Sequence, residues 1–472
     1  MIRNPNTSQD LAINFKDGAC LVLSGPGSGK TFVLTNRVLS LIMNYKVQPS
    51  SILVITFTKA AALEMEKRFN SIASASNIVC IDRPNFGTFH SIFFNILREG
   101  FDYKYDSTIK KSDAYKLLYS IINDKMKLNI NKEAICSVLK DISLYKLSKE
   151  SYEDFEPRFL SYKTFIKVYN DFDKLMFDKK KLGFSDMIGM CYKLLIENKN
   201  VLKFYQNKYK YILIDEFQDI NKSQYEIIKL LGKNNNIFVV GDDDQSIYAF
   251  RGSKPGIMKE FLNDYKRAKV IYLNTNYRST DNIVRISRKV IEKNIDRFDK
   301  NLISNNKGKG KFVIKGFIDS RDENKYIINS IKNYLDSGIS LNEMAILYRT
   351  NVLPYAIISD LKKSKISFII KENKKRNYDE MTLCNEHKIS LMTFHMSKGL
   401  EYKVVFIIDA NDGIVPHKKS IRLSDIESER RLFYVAMTRA KTDLHILFTI
   451  RRFGKNFKAS RFILDAIGGK YE

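Results

Sequence analysis

Apolar runs of four to six residues recur along the chain, at Ala19–Leu23, Ile52–Phe57, Tyr211–Ile214, Ile237–Val240, Met344–Tyr348, Val404–Ile408 and His445–Phe448. Polar turns follow these runs, and then apolar residues at helical spacing. Short continuous apolar runs read as strands buried on both faces, and strands alternating with helices predict parallel α/β sheets. The runs fall into two sets separated near residue 275, so two α/β units are expected. Between about Glu99 and Phe204 the strand pattern stops. There Phe159, Tyr162, Phe165, Ile166, Tyr169 and Phe172 recur at spacings of three and four, which predicts an amphipathic helix. Tyr115–Ile122 and Ala134–Leu147 read in the same way. The expected organisation is a first α/β unit over 1–98 and 205–275, a helical insertion over 99–204, and a second α/β unit over 276–472. Asn301–Lys311, rich in Asn, Gly and Lys, reads as a loop.

Composition narrows the function. The 472 residues are 44% hydrophobic and 28% charged, which excludes a disordered or fibrous chain. The longest apolar runs fall far short of the roughly 18 residues needed to span a bilayer. Met1–Asp10 has no apolar core segment, so no signal peptide is read and a cytoplasmic location is expected. The five cysteines, Cys20, Cys80, Cys136, Cys191 and Cys384, form no CxxC pair and are odd in number. That argues against a zinc site or disulfide framework and for a reducing compartment. Lys+Arg 79 against Asp+Glu 53 gives a net charge of +26, which points to a polyanion, nucleic acid ahead of an anionic membrane. Lysines outnumber arginines 57 to 22, and lysines accumulate on surfaces without a role, so the arginines are the more informative cations.

The chemistry starts at Ser24-Gly25-Pro26-Gly27-Ser28-Gly29-Lys30-Thr31, between a predicted strand and a helical pattern. This is G-x-x-x-x-G-K-T with Ser24 at the first position. Glycines let backbone N–H groups surround phosphate oxygens, and the helix N-terminus favours negative charge. Lys30 can reach the β- and γ-phosphates, and the Thr31 hydroxyl can ligate Mg²⁺. A second acidic site is expected. Ile212–Ile214 ends in Asp215 and Glu216, at the edge of a parallel sheet where ligands bind. Asp215 would hold Mg²⁺ and Glu216 would polarise the attacking water. Another strand ends in Asp242, Asp243, Asp244 and Gln245, where the amide could sense the γ-phosphate; three consecutive acids are also compatible with a solvated loop.

These residues resemble a known family. Asp215–Asp219 (DEFQD) and Gly241–Tyr248 (GDDDQSIY) are similar to signatures of the UvrD/Rep/PcrA helicases of superfamily 1. Ile55–Arg68 (ITFTKAAALEMEKR), Gly87–Ser91 (GTFHS), Leu273–Thr280 (LNTNYRST), Ile346–Asn351 (ILYRTN), Leu391–Tyr402 (LMTFHMSKGLEY) and Glu429–Lys441 (ERRLFYVAMTRAK) follow in the family's order. The resemblance implies two RecA-like P-loop domains, with ATP between them and single-stranded DNA crossing both. It implies that Gln9 reads the adenine edge, that Arg37 and Tyr277 flank the ring, and that Glu401 contacts the ribose. Gly25, Gly27, Ser28, Gly29, Lys30, Thr31 and Phe32 would complete the nucleotide site. Arg278 and Arg439 would be arginine fingers, joining Lys30, Glu216 and Gln245 as the catalytic set. The chemistry agrees, since a guanidinium neutralises charge spread over the transferred phosphoryl oxygens. For DNA the resemblance points to Phe57, Thr58, Thr88, His90, Tyr248, Phe250, Arg251, Arg349, Thr393 and His395. Tyr248, Phe250 and Arg251 are an aromatic-basic cluster of the kind that stacks bases without reading sequence.

The larger relatives carry a further domain between the two blocks ILYRTN and LMTFHMSKGLEY. Here only about 38 residues separate Asn351 from Ile389, with a Lys-rich connector at Lys362–Asn377. The expected activity is an ATP- and Mg²⁺-dependent 3′→5′ helicase and translocase on single-stranded and 3′-tailed DNA, serving repair, replication or recombination. The alternative is a translocase that displaces proteins with little unwinding. A partner supplying duplex grip would fit either.

Overall fold

The computed structural model describes residues 4–75, 82–100, 107–147, 155–248, 256–351, 354–371, 387–452 and 454–468. The chain forms two compact units. The first comprises Met1–Val22, Lys30–Gly241 and Tyr248–Ile271; the second comprises Leu23–Gly29, Asp242–Ile247 and Tyr272–Glu472. Two loops that follow strands of the first sheet therefore belong to the second unit.

The first sheet is built from β1 (Ala19–Ser24), β2 (Ile52–Thr56), β3 (Asn85–Thr88), β4 (Tyr211–Ile214), β5 (Asn236–Gly241) and β6 (Lys269–Leu273), in the order β3-β2-β4-β5-β1-β6. β2 pairs in parallel with β3 and β4, and β4 with β5. Every residue of β2 and β4 is buried, as apolar runs covered on both faces require. The helices of this region are α1 (Thr7–Ile13), α2 (Lys30–Met43), α3 (Lys59–Ala75) and α4 (Phe89–Gly100).

The helical segment holds α5 (Lys111–Tyr119), α6 (Lys132–Leu147), α7 (Tyr162–Asp178), α8 (Phe184–Glu197) and α9 (Lys199–Lys208). The aromatic stripe becomes its core. Phe165 and Phe172 are buried with Leu118, Ile135, Ile142 and Tyr145. Phe159, expected within the same helix, precedes it and is 60% exposed. Ser161 caps α7 by accepting from the Thr164 N–H, so the helix starts after Phe159. Two helices, α10 (Lys222–Gly232) and α11 (Ile257–Asp264), complete this unit.

The second unit opens with β7 (Thr275–Thr280), α12 (Asp281–Ile291) and β8 (Ile303–Asn306). β7 and β8 pair in parallel, so the stretch expected to be a loop contains a strand. β8 has polar residues and no apolar run; pairing with β7 alone makes it a strand. The second sheet is β9 (Phe312–Phe317), β10 (Met344–Tyr348), β11 (Phe368–Ile370), β12 (Ile389–Thr393), β13 (Tyr402–Ile407) and β14 (Ala440–Thr449). Its order is β11-β12-β10-β13-β14-β9, parallel throughout. Four helices accompany it: α13 (Ser320–Asp336), α14 (Tyr355–Lys363), α15 (Leu423–Met437) and α16 (Arg461–Ile467). Its core joins Ile327 and Ile331 of α13 to Ile346, Val404 and Phe406 of the sheet. Among the described residues, no helix is long and apolar enough to cross a membrane.

Candidate functional site

β1 runs directly into the glycine loop and α2 starts at Lys30. Gly27 and Gly29 have φ of +66° and +87°, the left-handed region that glycine enters without strain. Gly27 is needed twice over, because a Cβ there would stand 2.6 Å from the Arg278 Cβ. β7 holds the loop. The Tyr277 N–H donates to the Gly27 carbonyl at 2.9 Å, and Asn276 Nδ2 donates to the Pro26 carbonyl at 2.7 Å. Ser28 Oγ closes the loop on the Gly25 carbonyl at 2.8 Å. The structure thereby brings Arg278 and Tyr277 to the phosphate loop.

At the start of α2, Lys30 Nζ lies 3.0 and 3.1 Å from the two carboxylate oxygens of Glu216. Glu216 has φ +51° and ψ +43°, a conformation that costs a non-glycine residue about 1–3 kcal/mol and concentrates at functional sites. Gln218 Nε2 donates to the same carboxylate. Asp215 is buried at the end of β4, its N–H donating to the Ile55 carbonyl at 2.9 Å. Thr31 and Phe32 occupy the next positions of α2, their carbonyls accepting from Thr35 Oγ1 and Asn36 Nδ2. A hydroxyl and a carboxylate are hard oxygen donors of the kind Mg²⁺ takes, so Thr31 and Asp215 fit that ion.

In the second unit, Thr438 is the junction of the two arginines. Arg278 Nη1 donates to its carbonyl at 3.2 Å and Arg439 Nη2 to its hydroxyl at 3.1 Å. Arg439 Nη2 also reaches Gln245 Oε1 at 3.4 Å, and its remaining nitrogens are fixed by the Val435 and Leu400 carbonyls. Arg278 Nε pairs with Glu401 at 2.7 Å, and Lys441 pairs with the same carboxylate at 2.7 Å. Burial opposes charge on Glu401, but the two cations hold its carboxyl below the ordinary value.

Asp242, Asp243 and Asp244 are at most 1% exposed, so the solvated-loop reading does not hold. Lys300, itself 1% exposed, places Nζ 2.5, 2.6 and 2.9 Å from the three carboxylates. Among the described residues this is the one acidic cluster with the spacing to grip a metal, and a lysine ammonium binds all three of its acids. Arg297 forks onto Asp244 at 3.0 and 2.9 Å. The sequence reading missed both cations. Lys300 is one of 57 lysines with no motif around it, and only the fold brings it to the acids.

Three residues expected to contact ligands have protein partners. Arg37 is 1% exposed, with its guanidinium 4.2 Å from the Phe238 ring centroid and 5.3 Å from that of Phe15. Burial lowers its pKa to about 10. It packs against two protein rings. Gln9 completes a capping box of α1: its N–H donates to Asn6 Oδ1 and its Oε1 accepts from the Asn6 N–H. Arg349, expected on DNA, forms a two-pronged pair with Glu429 at 2.9 and 2.6 Å.

Among the other residues expected to contact DNA, Phe57 and Tyr248 stack with ring centroids 5.3 Å apart and planes 10° from parallel. Thr58 Oγ1 accepts from the Ala61 N–H at the start of α3. Thr88 and Ser91 exchange hydrogen bonds at the start of α4. His90 meets the exposed ring of Phe184 edge-on at 4.7 Å. Thr393 ends β12 and accepts from the Met396 N–H, and His395 opens the following turn. Phe250 and Arg251 lie outside the described residues.

The sequence profile of the UvrD/REP helicase N-terminal domain matches residues 5–266, and that of the UvrD-like helicase C-terminal domain matches 271–380 and 369–451. The chain belongs to the UvrD/REP helicase family. Its two α/β sheets are those of RecA-like domains. It is 28% identical to the putative ATP-dependent DNA helicase YjcD of Bacillus subtilis, over 97% of this chain and 80% of that protein. It is 34% identical to the ATP-dependent DNA helicase PcrA of Staphylococcus epidermidis and 32% to that of Staphylococcus aureus, in each case over 78% of this chain. The chain spans about half the length of the PcrA relatives. The alignment with YjcD runs over 616 positions, more than this chain contains, so YjcD carries stretches with no counterpart here.

Proposed function

We propose that this chain is an ATP-driven motor that moves 3′→5′ along single-stranded DNA and separates duplex with a 3′ tail. The observation that carries the hydrolytic part is the Lys30–Glu216 pair on a phosphate loop, with Glu216 in a left-handed conformation. Glycine-loop N–H groups, Lys30 and the α2 N-terminus bind the β- and γ-phosphates. Once Lys30 engages phosphate, Glu216 is released to take the proton of the attacking water, with Gln218 steadying its carboxylate. Thr31 and Asp215 would hold Mg²⁺, which screens the charge of the transferred phosphoryl group. Arg278 and Arg439 neutralise that charge, and Gln245, bonded to Arg439, registers the γ-phosphate. Tyr277 and Glu401 bound the nucleoside end. In the first unit, stacked Phe57 and Tyr248, with Thr58, Thr88 and His90, meet DNA, the rings supporting bases; Thr393 and His395 of the second unit, and Phe250 and Arg251, are DNA contacts on the family resemblance.

The short link between Asn351 and Ile389 and the longer alignment with YjcD favour a second reading, a translocase with little unwinding of its own that takes duplex grip from a partner. One experiment separates these outcomes. ATP turnover is measured with and without single-stranded DNA, beside unwinding of 3′- and 5′-tailed duplexes and displacement of streptavidin from a biotinylated strand. Stimulation by DNA with unwinding of 3′-tailed duplex supports the first reading. Stimulation with streptavidin displacement alone supports the second, and DNA-independent turnover removes both.

A further inference from the structure

The stretch Arg297–Ile303 touches three nucleotide-facing pieces of the second unit at once. Lys300 and Arg297 bind the acids before Gln245. Two residues on, Leu302 backs the phosphate loop so closely that a Cβ at Gly25 would lie 2.2 Å from its Cδ2. Ile303 pairs with Thr275 on β7, the strand that carries Arg278. The chain of contacts to the γ-phosphate sensor is short. Lys300 Nζ meets Asp242 Oδ1 at 2.5 Å, Asp242 Oδ2 accepts from Gln245 Nε2 at 2.5 Å, and Gln245 Oε1 faces Arg439. The Phe298 N–H donates to Asp243 Oδ2 at 2.7 Å, and Lys398 Nζ donates to the Gln245 carbonyl at 2.8 Å.

We propose that Lys300 is a positioning residue for ATP hydrolysis, setting the orientation of the Gln245 amide by binding the three carboxylates that precede it. Three buried neighbouring carboxylates repel one another, and they share one compact turn only while a cation stands among them. Burial opposes the charge of Lys300, but the acids overcome this and keep it protonated well above the ordinary lysine range. Without that ammonium, Arg297 is left to balance three acids. The turn Asp243–Gln245 then opens, and the Gln245 side chain loses both its Asp242 anchor and its register with Arg439. The inference rests on the nucleotide-site reading of Gln245 given above.

The test uses Lys300→Met, with Lys300→Met/Asp243→Asn to remove one negative charge if the single variant does not fold. Hydrogen exchange of the nucleotide-free protein reads the turn directly, through the Gln245 and Ser246 N–H groups bonded to the Asp242 and Asp243 carbonyls. Selective loss of their protection, with β5 unchanged, is the expected result. DNA-stimulated kcat should fall on the order of a hundredfold, as for a catalytic group displaced by about 1 Å, with KM for ATP within about threefold of wild type. In a Gln245→Ala background, the lysine substitution should change kcat by less than about twofold, since its effect runs through an amide already removed. Unchanged protection of the turn, or losses that multiply in the double variant, would overturn the proposal. If the wild-type protein shows no ATP turnover, the functional reading fails, and hydrogen exchange still decides whether Lys300 sets the turn.

Discussion

Glu216 combines a left-handed backbone, an ion pair with Lys30 and a donor from Gln218, so its substitution is the sharpest probe of the chemistry. Glu216→Gln keeps the size of the side chain and loses its basicity. ATP binding should persist while single-turnover hydrolysis falls about 10²–10⁴-fold. Turnover at the wild-type rate would show that another group accepts the proton. Lys30→Ala should abolish hydrolysis in the same assay. Arg278 and Arg439 should differ in an instructive way. Each alanine variant is expected to lower kcat by about a thousandfold or more, the scale of arginine fingers. Arg439 is buried and bound at four acceptors, so Arg439→Ala should also lower the melting temperature. After Arg278→Ala, Glu401 still has Lys441, and the melting temperature should hold. Equal thermal losses in the two variants would contradict this assignment of partners.

Helix α13 illustrates how an element can carry a pH response away from the nucleotide. Glu323 of α13 and Asp409, just after β13, are buried together with Arg452. The Asp409 N–H donates to Glu323 Oε1 at 3.3 Å. Burial and the neighbouring carboxylate, against the pull of Arg452, raise Glu323 to about 8; burial raises Asp409 to about 7. A carboxyl whose folded pKa exceeds its unfolded value binds more protons when folded, so stability falls as pH rises between the two values. Urea midpoints of the wild-type protein should therefore decline from about pH 4.5 to about pH 8, and Glu323→Gln should flatten that decline. Parallel pH profiles for the two proteins would mean that Glu323 is ionised throughout. On the same helix, Tyr334 donates to Asp443 at 2.6 Å and meets His445 Nε2 at 2.9 Å. Tyr334→Phe should cost about 1–3 kcal/mol in denaturant unfolding, because it leaves buried polar atoms of β14 unsatisfied.

A net charge of +26 and the stacked Phe57–Tyr248 pair lead to one expectation for nucleic-acid binding. Single-strand affinity should vary little with sequence and fall steeply with salt, with log K linear in log salt. A weak salt slope with strong sequence preference would point to base-edge readout instead. Unwinding without added partner should be of low processivity. Single-turnover amplitudes on 3′-tailed duplexes of increasing length, with trap DNA, should drop with length. Amplitudes that stay high would show that the short stretch between Asn351 and Ile389 does not limit duplex grip.

Strands buried at every position and apolar almost throughout, such as β2, β4 and β10, were legible because burial on both faces leaves no polar alternation to confuse them. The phosphate loop was legible because glycine spacing and a Lys-Thr pair are a local chemical requirement. β3 and β8 were not, since Asn85–Thr88 and Ile303–Asn306 have no apolar run and exist as strands through their partners β2 and β7. The same divide runs through the site. Lys30, Glu216, Gln245, Arg278 and Arg439 could be named from spacing and resemblance. The side-chain pairings of Arg37 with two rings, Arg349 with Glu429, and Lys300 with three aspartates join residues 22 to 201 positions apart, and no local pattern encodes them. A buried charge needs a partner at hydrogen-bonding distance. Which residue supplies that partner is decided when the chain folds and the other acids and rings have taken their places.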